Sequence, residues 1–339
     1  MSSYVKTEID GVVGRIVLDR PSALNALDTD MIRELYAVLL EWKDDDAVQV
    51  VVVRSASEKA FCAGGDIRAV RESALNGKSG EVYGFFSEEY RLNQLIADYP
   101  KQYVSLIDGV NMGGGLGISV HGDVRVVTER AMFAMPETAI GFICDVGASY
   151  FLPRIDGAAG LYAGLTGARL RAGDALELGL ATHFVPSDGL DDFAASIVEG
   201  GLDAALTSAA DNQAPVSDLA GVRAEIDEAF AGHDIEKIVG RLAEGEEPWR
   251  VTAREALAAA SPWALTVTTE LLRRGGESAN LAECLGRELR AAMKMTDCPD
   301  FAEGVRAMLV DKDRNPAWSP ATLAEVSQDA VRELFESPI

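Results

Sequence analysis

Short apolar, β-branched runs alternate with amphipathic stretches through the first half of the chain. Val12–Leu18, Val48–Val53, Tyr103–Ile107 and Val124–Val127 are bounded by Asp, Gly or Arg and predict buried strands. Between the first two, Ile32, Leu35, Tyr36, Leu39 and Trp42 share one helical face. Asp28 or Thr29 suits the cap of that helix, and Asp28 and Asp30 suit its positive N-terminal end. From Arg68 to about Pro100 a longer segment intervenes, with Gly77-Lys78-Ser79-Gly80 as a loop and Glu81–Tyr99 as a helix. Repeated strand–strand–helix units predict an α/β arrangement with buried strands.

The pattern changes after Ala209. Residues 209–218 (AADNQAPVSD) read as a linker, and helical faces dominate beyond it. Ile226, Phe230, Ile235, Ile238 and Leu242 mark some of these faces, and Leu281, Leu285, Leu289 and Met293 mark another. The chain therefore divides into a core over 1–208 and a mostly helical region over 209–339. No internal repeat or low-complexity tract stands out.

Charge and composition remove several kinds of chemistry. With 31 Lys and Arg against 54 Asp and Glu, the net charge of −23 argues against nucleic acid as a main partner, because phosphate binding needs a basic field. No apolar run approaches the roughly 18 residues of a membrane span. The opening MSSYVKTEID lacks the features of a secretory signal and is not an Arg-rich transit peptide. Cys62, Cys144, Cys284 and Cys298 form no C-x-x-C and no compact framework, which points to reduced thiols in a cytoplasm. The three histidines make no H-E-x-x-H and no zinc spacing, so no metal site is expected. There is no G-x-S-x-G elbow. Glu72 stands where a P-loop ending in Gly77-Lys78-Ser79 needs glycine, and the cluster at 113–117 does not fit G-x-G-x-x-G. Carboxylates and backbone amides remain as the candidate chemistry.

Two glycine turns offer such amides. Ala60-Phe61-Cys62-Ala63-Gly64-Gly65-Asp66-Ile67 and Asp108-Gly109-Val110-Asn111-Met112-Gly113-Gly114-Gly115-Leu116-Gly117 each lead from a strand into a helix. Without a Cβ the backbone N–H groups are open to close approach, and a helix start adds free donors and partial positive charge. Two such turns facing each other make a two-donor oxyanion hole, where losing one donor costs about 10²–10³ in rate. Taken alone, the same glycines also read as tight packing turns.

Together with Arg20-Pro21-Ser22-Ala23-Leu24-Asn25-Ala26-Leu27, the pair of turns resembles the enoyl-CoA hydratase/isomerase (crotonase) superfamily over almost the whole chain. The resemblance implies a crotonase-like spiral of ββα units with a mostly helical C-terminal region. It places the oxyanion donors at the N–H groups of Gly65 and Gly114, and seats CoA against backbone around Ala63, Gly65, Asp66 and Ile67. The substrate is then an acyl-CoA thioester, and no cofactor beyond the CoA of the substrate is implied.

The superfamily shares thioester binding rather than one reaction, so the acids must decide. Typical hydratases carry two Glu residues; here the first position is Gly117 and the second is Glu137. Asp145 stands where hydratases have glycine. The run Met135–Gly147, Tyr150–Arg154, Gly117–Gly122, Phe86–Tyr90, Asp300–Ala307, Asp311–Asp313 and Pro316–Trp318 are similar to the 3-hydroxyisobutyryl-CoA hydrolase subfamily. Two departures are Cys144, usually Pro, and Ala148, usually Gly.

This likeness implies hydrolysis of a short β-hydroxyacyl-CoA, within valine breakdown. Glu137 is then the general base or the nucleophile, and Asp145 an assisting acid whose like charge raises a neighbouring pKa. Glu89 is carried over as a substrate-binding residue with Gly114, Glu137 and Asp145, although its amphipathic helix also allows a solvated position. Asp145 equally suits the N-cap of a helix starting near Val146, and Glu137 an ordinary first-turn acid. His121 reads as a hydrogen-bonded core residue, and Cys62 and Cys144 as small buried hydrophobes. Arg20, Lys59, Arg68 and Arg71 are the basic candidates for the CoA phosphates, with only a modest salt dependence expected. Rival readings are an isomerase using Glu137 alone, a residual hydratase, and a non-catalytic acyl-CoA-binding protein. Relatives of this type assemble as trimers or pairs of trimers, so a homo-oligomer is expected.

Overall fold

The computed structural model describes residues 4–336. Strands β1 (Val5–Asp10) and β2 (Val13–Leu18) precede helix α1 (Thr29–Lys43) and strands β3 (Val50–Ser55) and β4 (Ala60–Cys62). Helices α2 (Ile67–Leu75) and α3 (Ser79–Ala97) follow, then β5 (Gln102–Ile107), β6 (Val110–Met112), the single turn α4 (Gly114–Gly117), β7 (Val124–Val127) and β8 (Met132–Ala134). Next come α5 (Ala148–Phe151), α6 (Ala159–Thr166), β9 (Leu170–Arg171), α7 (Ala172–Glu177), β10 (His183–Phe184), α8 (Leu190–Gly200) and α9 (Leu202–Ala209). The remainder is helical: α10 (Arg223–Ala229), α11 (Ile235–Leu242), α12 (Pro248–Ala259), α13 (Pro262–Gly276), α14 (Leu281–Asp297), α15 (Pro299–Val305) and α16 (Gln328–Glu336). The α/β class with a mostly helical C-terminal region is the one the sequence predicts. No helix among the described residues is long and apolar enough to cross a membrane.

Internal contacts divide the chain into two compact units, neither of them one continuous stretch. The first comprises the described parts of Met1–Gly65, with Arg91–Phe133 and Arg169–Ala220. Its six-stranded sheet has the order β1-β2-β3-β5-β7-β10, parallel except for the β1–β2 hairpin. Period-two alternation sends Val50 and Val52 of β3, Val104 and Leu106 of β5, and Val124 and Val126 of β7 to one face. There they meet Leu190, Phe193 and Ile197 of α8 and Leu202 and Ala205 of α9. Burying each large side chain contributes about 1.5–3 kcal/mol, so this face is a principal source of the unit's stability. Asp28 is the cap of α1, accepting from Met31 N at 2.9 Å. A second, smaller sheet runs β4-β6-β8-β9.

Strand β1 escapes the sequence pattern because four of its six residues are exposed. It is an edge strand held by the hairpin through Gly11, whose φ of 60° fits the turn.

The second unit comprises Asp66–Tyr90, Ala134–Ala168 and the described part of Gly221–Ile339. Helix α13 is its centre, with Ala264, Leu265, Val267, Leu271 and Leu272 buried. Ser261 caps it, accepting from Ala264 N at 3.0 Å, and Pro262 occupies the first turn, where its missing N–H costs nothing. Helix α14 begins at the cap Asn280 and stops before Pro299. Phe142 stacks on Phe86 of α3 with ring centres 5.3 Å apart and meets Phe301 of α15 at 5.5 Å. These rings tie α3 and α15 to the segment that follows Glu137.

Candidate active site

In the first unit, the parallel pairing of β4 with β6 fixes where both glycine turns lie. Ala60 pairs with Val110 and Cys62 with Asn111, so the chain leaves both strands at the same end of the sheet. A Cβ at Gly64, whose φ is +104°, would lie 3.3 Å from Met112 O and 3.7 Å from Gly114 N. One at Gly115 would lie 2.4 Å from Asn111 Oδ1 and 2.6 Å from Cys62 O. The two turns are therefore packed backbone against backbone, at a distance only glycine permits.

Fully buried Asn25 braces the first turn from behind. Its Nδ2 donates to Ser55 Oγ at 2.8 Å and Phe61 O at 3.0 Å, and its Oδ1 accepts from Arg20 N at 2.8 Å. The N–H of Ala63 is taken by Leu24 O and that of Leu27 by Gly64 O, a network that does not engage the N–H of Gly65. Gly114 opens α4, where a helix start leaves its N–H without an intrahelical acceptor. Ala63, Gly65, Asp66 and Ile67 are all partly accessible. Asp66 caps α2, with Oδ1 at 3.4 Å from Ala69 N.

In the second unit, the predicted acids come together. Glu137 is 7% exposed, Asp145 5% and Glu89 2%. Glu137 opens a single 3-10 turn, Glu137–Ile140, right after Pro136. That turn is fixed by Phe142 N on Glu137 O, Ser261 N on Thr138 O and Thr138 Oγ1 on Leu165 O. Glu137 is thus both a first-turn acid and a buried one. The Cys144 thiol lies 3.7 Å from Glu137 Oε2 and 3.1 Å from Gly164 O.

Tyr90 donates its hydroxyl to Asp145 Oδ2 at 2.6 Å. Glu89 is buried rather than on a solvated face, and its Oε1 has no hydrogen-bond partner among the described residues. A fourth carboxylate, Glu288 of α14, accepts from Gly147 N at 2.7 Å, Ser149 N at 3.0 Å and Ser149 Oγ at 2.5 Å.

Four buried acids beside one another cannot all ionise easily. Burial, and then the charge of Asp145, push the Glu137 carboxyl well above its usual range; a backbone hydrogen bond and the Cys144 thiol oppose this. Burial also drives Glu89 well up, with Asp145 and Glu137 adding to it. Asp145 is pushed up to about 7 by burial, restrained by the Tyr90 hydroxyl and raised further by Glu288. Glu288 rises through burial too, against the donors from Ser149 and Gly147. The arrangement supplies a protonatable group near neutrality and carboxyls able to take or hold a proton.

The readings of Asp145 as a cap, of His121 as a core residue and of 77–80 as a loop need correction. Asp145 does not cap a helix: α5 starts at Ala148, its N-cap is Gly147 without a side-chain bond, and the Asp145 side chain is engaged by Tyr90. His121 is only half-buried. Gly77-Lys78-Ser79-Gly80 is not wholly a loop, because α3 already starts at Ser79. Of the basic candidates, Arg20 donates to Ala26 O at 2.7 Å, Arg68 to Leu309 O, and Arg71 to Ala302 O at 2.7 Å. These three guanidinium groups brace backbone.

None of the four cysteines is in a disulfide among the described residues. Cys144 is held as a neutral thiol, its pKa raised by burial and then by Glu137 and Asp145. Tyr90, Ser149 and Glu288 were not identified from sequence as site residues. The available signal for Glu288 was its place in the buried stripe Leu281, Cys284, Leu285, Glu288, Ala291, Ala292, Met295, where a carboxylate is out of pattern.

Comparison with known proteins agrees with this geometry. Residues 13–335 match the family model for enoyl-CoA hydratase/isomerase. A Danio rerio protein named 3-hydroxyisobutyryl-CoA hydrolase, mitochondrial, is 42% identical across 99% of this chain and 90% of its own length. The Homo sapiens protein of that name is 39% identical across 98% and 88%. Among solved structures, one titled as a carnitinyl-CoA dehydratase from Mycobacterium thermoresistibile has a TM-score of 0.95 and 41% identity, covering 100% of this chain and 97% of its own. One titled as an enoyl-CoA hydratase from Rhodobacter sphaeroides has a TM-score of 0.93 and 39% identity, covering 98% and 97%. With its glycine turns, its buried acids and a family match over nearly its whole length, this chain belongs to the enoyl-CoA hydratase/isomerase family.

Proposed function

We propose that this protein hydrolyses the thioester of 3-hydroxyisobutyryl-CoA, or of a close short β-hydroxyacyl-CoA, to the free acid and CoA, a step of valine breakdown. The named hydrolases at about 40% identity over nearly the full chain support this reaction. The observation that carries it within the site is the acid set. Position 117 is glycine, which cannot position water as a hydratase glutamate does, while Asp145 is buried with Glu137 and Glu89.

In this reading the N–H groups of Gly65 and Gly114 receive the thioester oxygen as it gains negative charge. The Glu137 carboxylate either takes a proton from water as that water adds to the acyl carbon, or adds itself and expels CoA thiolate. The second route gives a mixed anhydride that water then opens. Asp145 orients the water or meets the substrate hydroxyl, and Glu89, with one unpartnered oxygen, binds the acyl group. Water is the only co-reactant, so no resident cofactor is called for. Cysteines without disulfides among the described residues suit a reducing cytoplasm, and assembly as a trimer or pair of trimers belongs to the same proposal.

A single assay decides between readings. Thiol released from 3-hydroxyisobutyryl-CoA supports hydrolysis. A moved double bond on an enoyl-CoA, without thiol, supports the isomerase reading, and added water without thiol the hydratase reading, the one in line with the names of the two solved structures. Binding with neither overturns catalysis altogether. Single turnover in heavy-oxygen water, followed by mass analysis of the Glu137 peptide, separates the two hydrolytic routes.

A further inference from the structure

The backbone that carries Asp145 is held in a costly conformation. Val146, a β-branched residue, has φ of 54°, and Gly147 follows at 86°. A β-branched side chain in that region costs on the order of 1–3 kcal/mol and persists only where its surroundings over-determine it. The surroundings here do so. Glu288 receives Gly147 N, Ser149 N and Ser149 Oγ, while Ala148 N returns to Asp145 O at 2.9 Å. With its backbone locked from the α14 side, Asp145 keeps only its side-chain rotations, about Cα–Cβ and Cβ–Cγ. Tyr90 reaches it from α3. The Tyr90 ring is 4% exposed and packs 6.0 Å from the Phe86 ring, which itself stacks on Phe142. Its position is therefore as fixed as the aromatic cluster around it.

We propose that Tyr90 is a positioning residue for thioester hydrolysis: its hydroxyl, donated to Asp145 Oδ2, sets the direction in which the Asp145 carboxylate faces the substrate. The inference rests on the role given to Asp145 above. The groups acting on Asp145 are Tyr90 and Glu89 from α3, Glu137 and Cys144 from its own side of the chain, and Glu288 from α14, whose own charge is tempered by Arg287. Of the carboxylates, Glu288 opposes its ionisation, whereas the charge of Asp145 itself pushes Glu89 and Glu137 up. Tyr90 is the side chain that favours it, and burial beside acids keeps the phenol protonated and so always a donor.

Tyr90→Phe removes one oxygen and keeps the ring. Thiol release by the full-length protein is followed from pH 5.5 to 9, alone and in an Asp145→Asn background. The expected loss in kcat near pH 6.5 is about ten- to hundredfold, the range of one hydrogen bond to a charged group, with KM changed less than about threefold. The acid limb of the profile moves up by about one pH unit, and in Asp145→Asn the second change has less than about a twofold effect. A structural role alone would lower the melting temperature and leave that limb in place. Should Tyr90→Phe lose the fold, 3-fluorotyrosine at position 90, a stronger donor, should move the limb down. A limb that stays in place, or full additivity with Asp145→Asn, overturns the proposal while leaving hydrolysis standing. Wild-type protein that releases no thiol overturns both.

Discussion

Asp145→Asn should make the protein more stable at pH 8 while making it a poorer catalyst. The folded chain titrates this carboxyl at about 7 against an ordinary 3.8. At 1.36 kcal/mol per pH unit, keeping it charged above pH 7 costs roughly 4 kcal/mol of folding stability. The sign follows from the raised value: the stability linked to this group is fully present below the unfolded value and is lost as pH rises through about 7. An amide at 145 carries no such penalty. It accepts a weaker, neutral hydrogen bond from Tyr90 and adds an N–H₂ to place, which together offset about 1–3 kcal/mol. The net gain at pH 8 is then on the order of 1–3 kcal/mol, falling toward zero or below by pH 5. It is helped by relief of Glu89 and Glu137, both of which the Asp145 charge pushes up. Urea unfolding at the two pH values, with slopes compared to confirm the same transition, measures it. An equal gain at pH 5 and pH 8, or a wild type more stable at pH 8, would refute the reasoning.

Glu137→Gln should lower thiol release by about 10²–10⁴, with CoA affinity by calorimetry little changed; surviving hydrolysis would mean the base lies elsewhere. Glu288→Ala leaves Gly147 N, Ser149 N and Ser149 Oγ without their acceptor, and should cost about 3–5 kcal/mol in denaturant unfolding, with Glu288→Gln costing less. Gly115→Ala drives a methyl to 2.4 Å from Asn111 Oδ1 and 2.6 Å from Cys62 O, for a loss of about 1–3 kcal/mol read as a lower melting temperature. Unchanged stability there would mean that the two turns are not in close contact.

Much of this molecule was legible from residue order because its signals are local. A run such as Val50–Val53, buried on both faces, reads as a strand without any partner being known. Glycines that need φ above zero or a bare Cα advertise the turns they make, and Glu137 and Asp145 were located through the motifs around them. Partnerships across long sequence separations were not legible. Tyr90 sits on the apolar face of α3 and its hydroxyl is invisible to a hydrophobic pattern, although its partner 55 residues away decides its use. Glu288 lies 139 residues from Ser149, and the stripe read for its helix used Leu289 and Met293, which are only half-buried. The alternative reading of Asp145 as a cap followed propensity, but the left-handed Val146 and Gly147 shift the helix start to Ala148. Strands β9 and β10, two residues each, carry no period at all.

The side-by-side exit of the chain from β4 and β6 has a consequence for how such a protein changes over time. The main-chain N–H groups at positions 65 and 114, the donors of the proposed hydrolysis, cannot be deleted by exchanging a side chain, whereas each acid can be lost through a single codon. In that proposal the grip on an acyl oxygen is the part such exchanges leave in place, and the reaction performed on it is the part open to replacement.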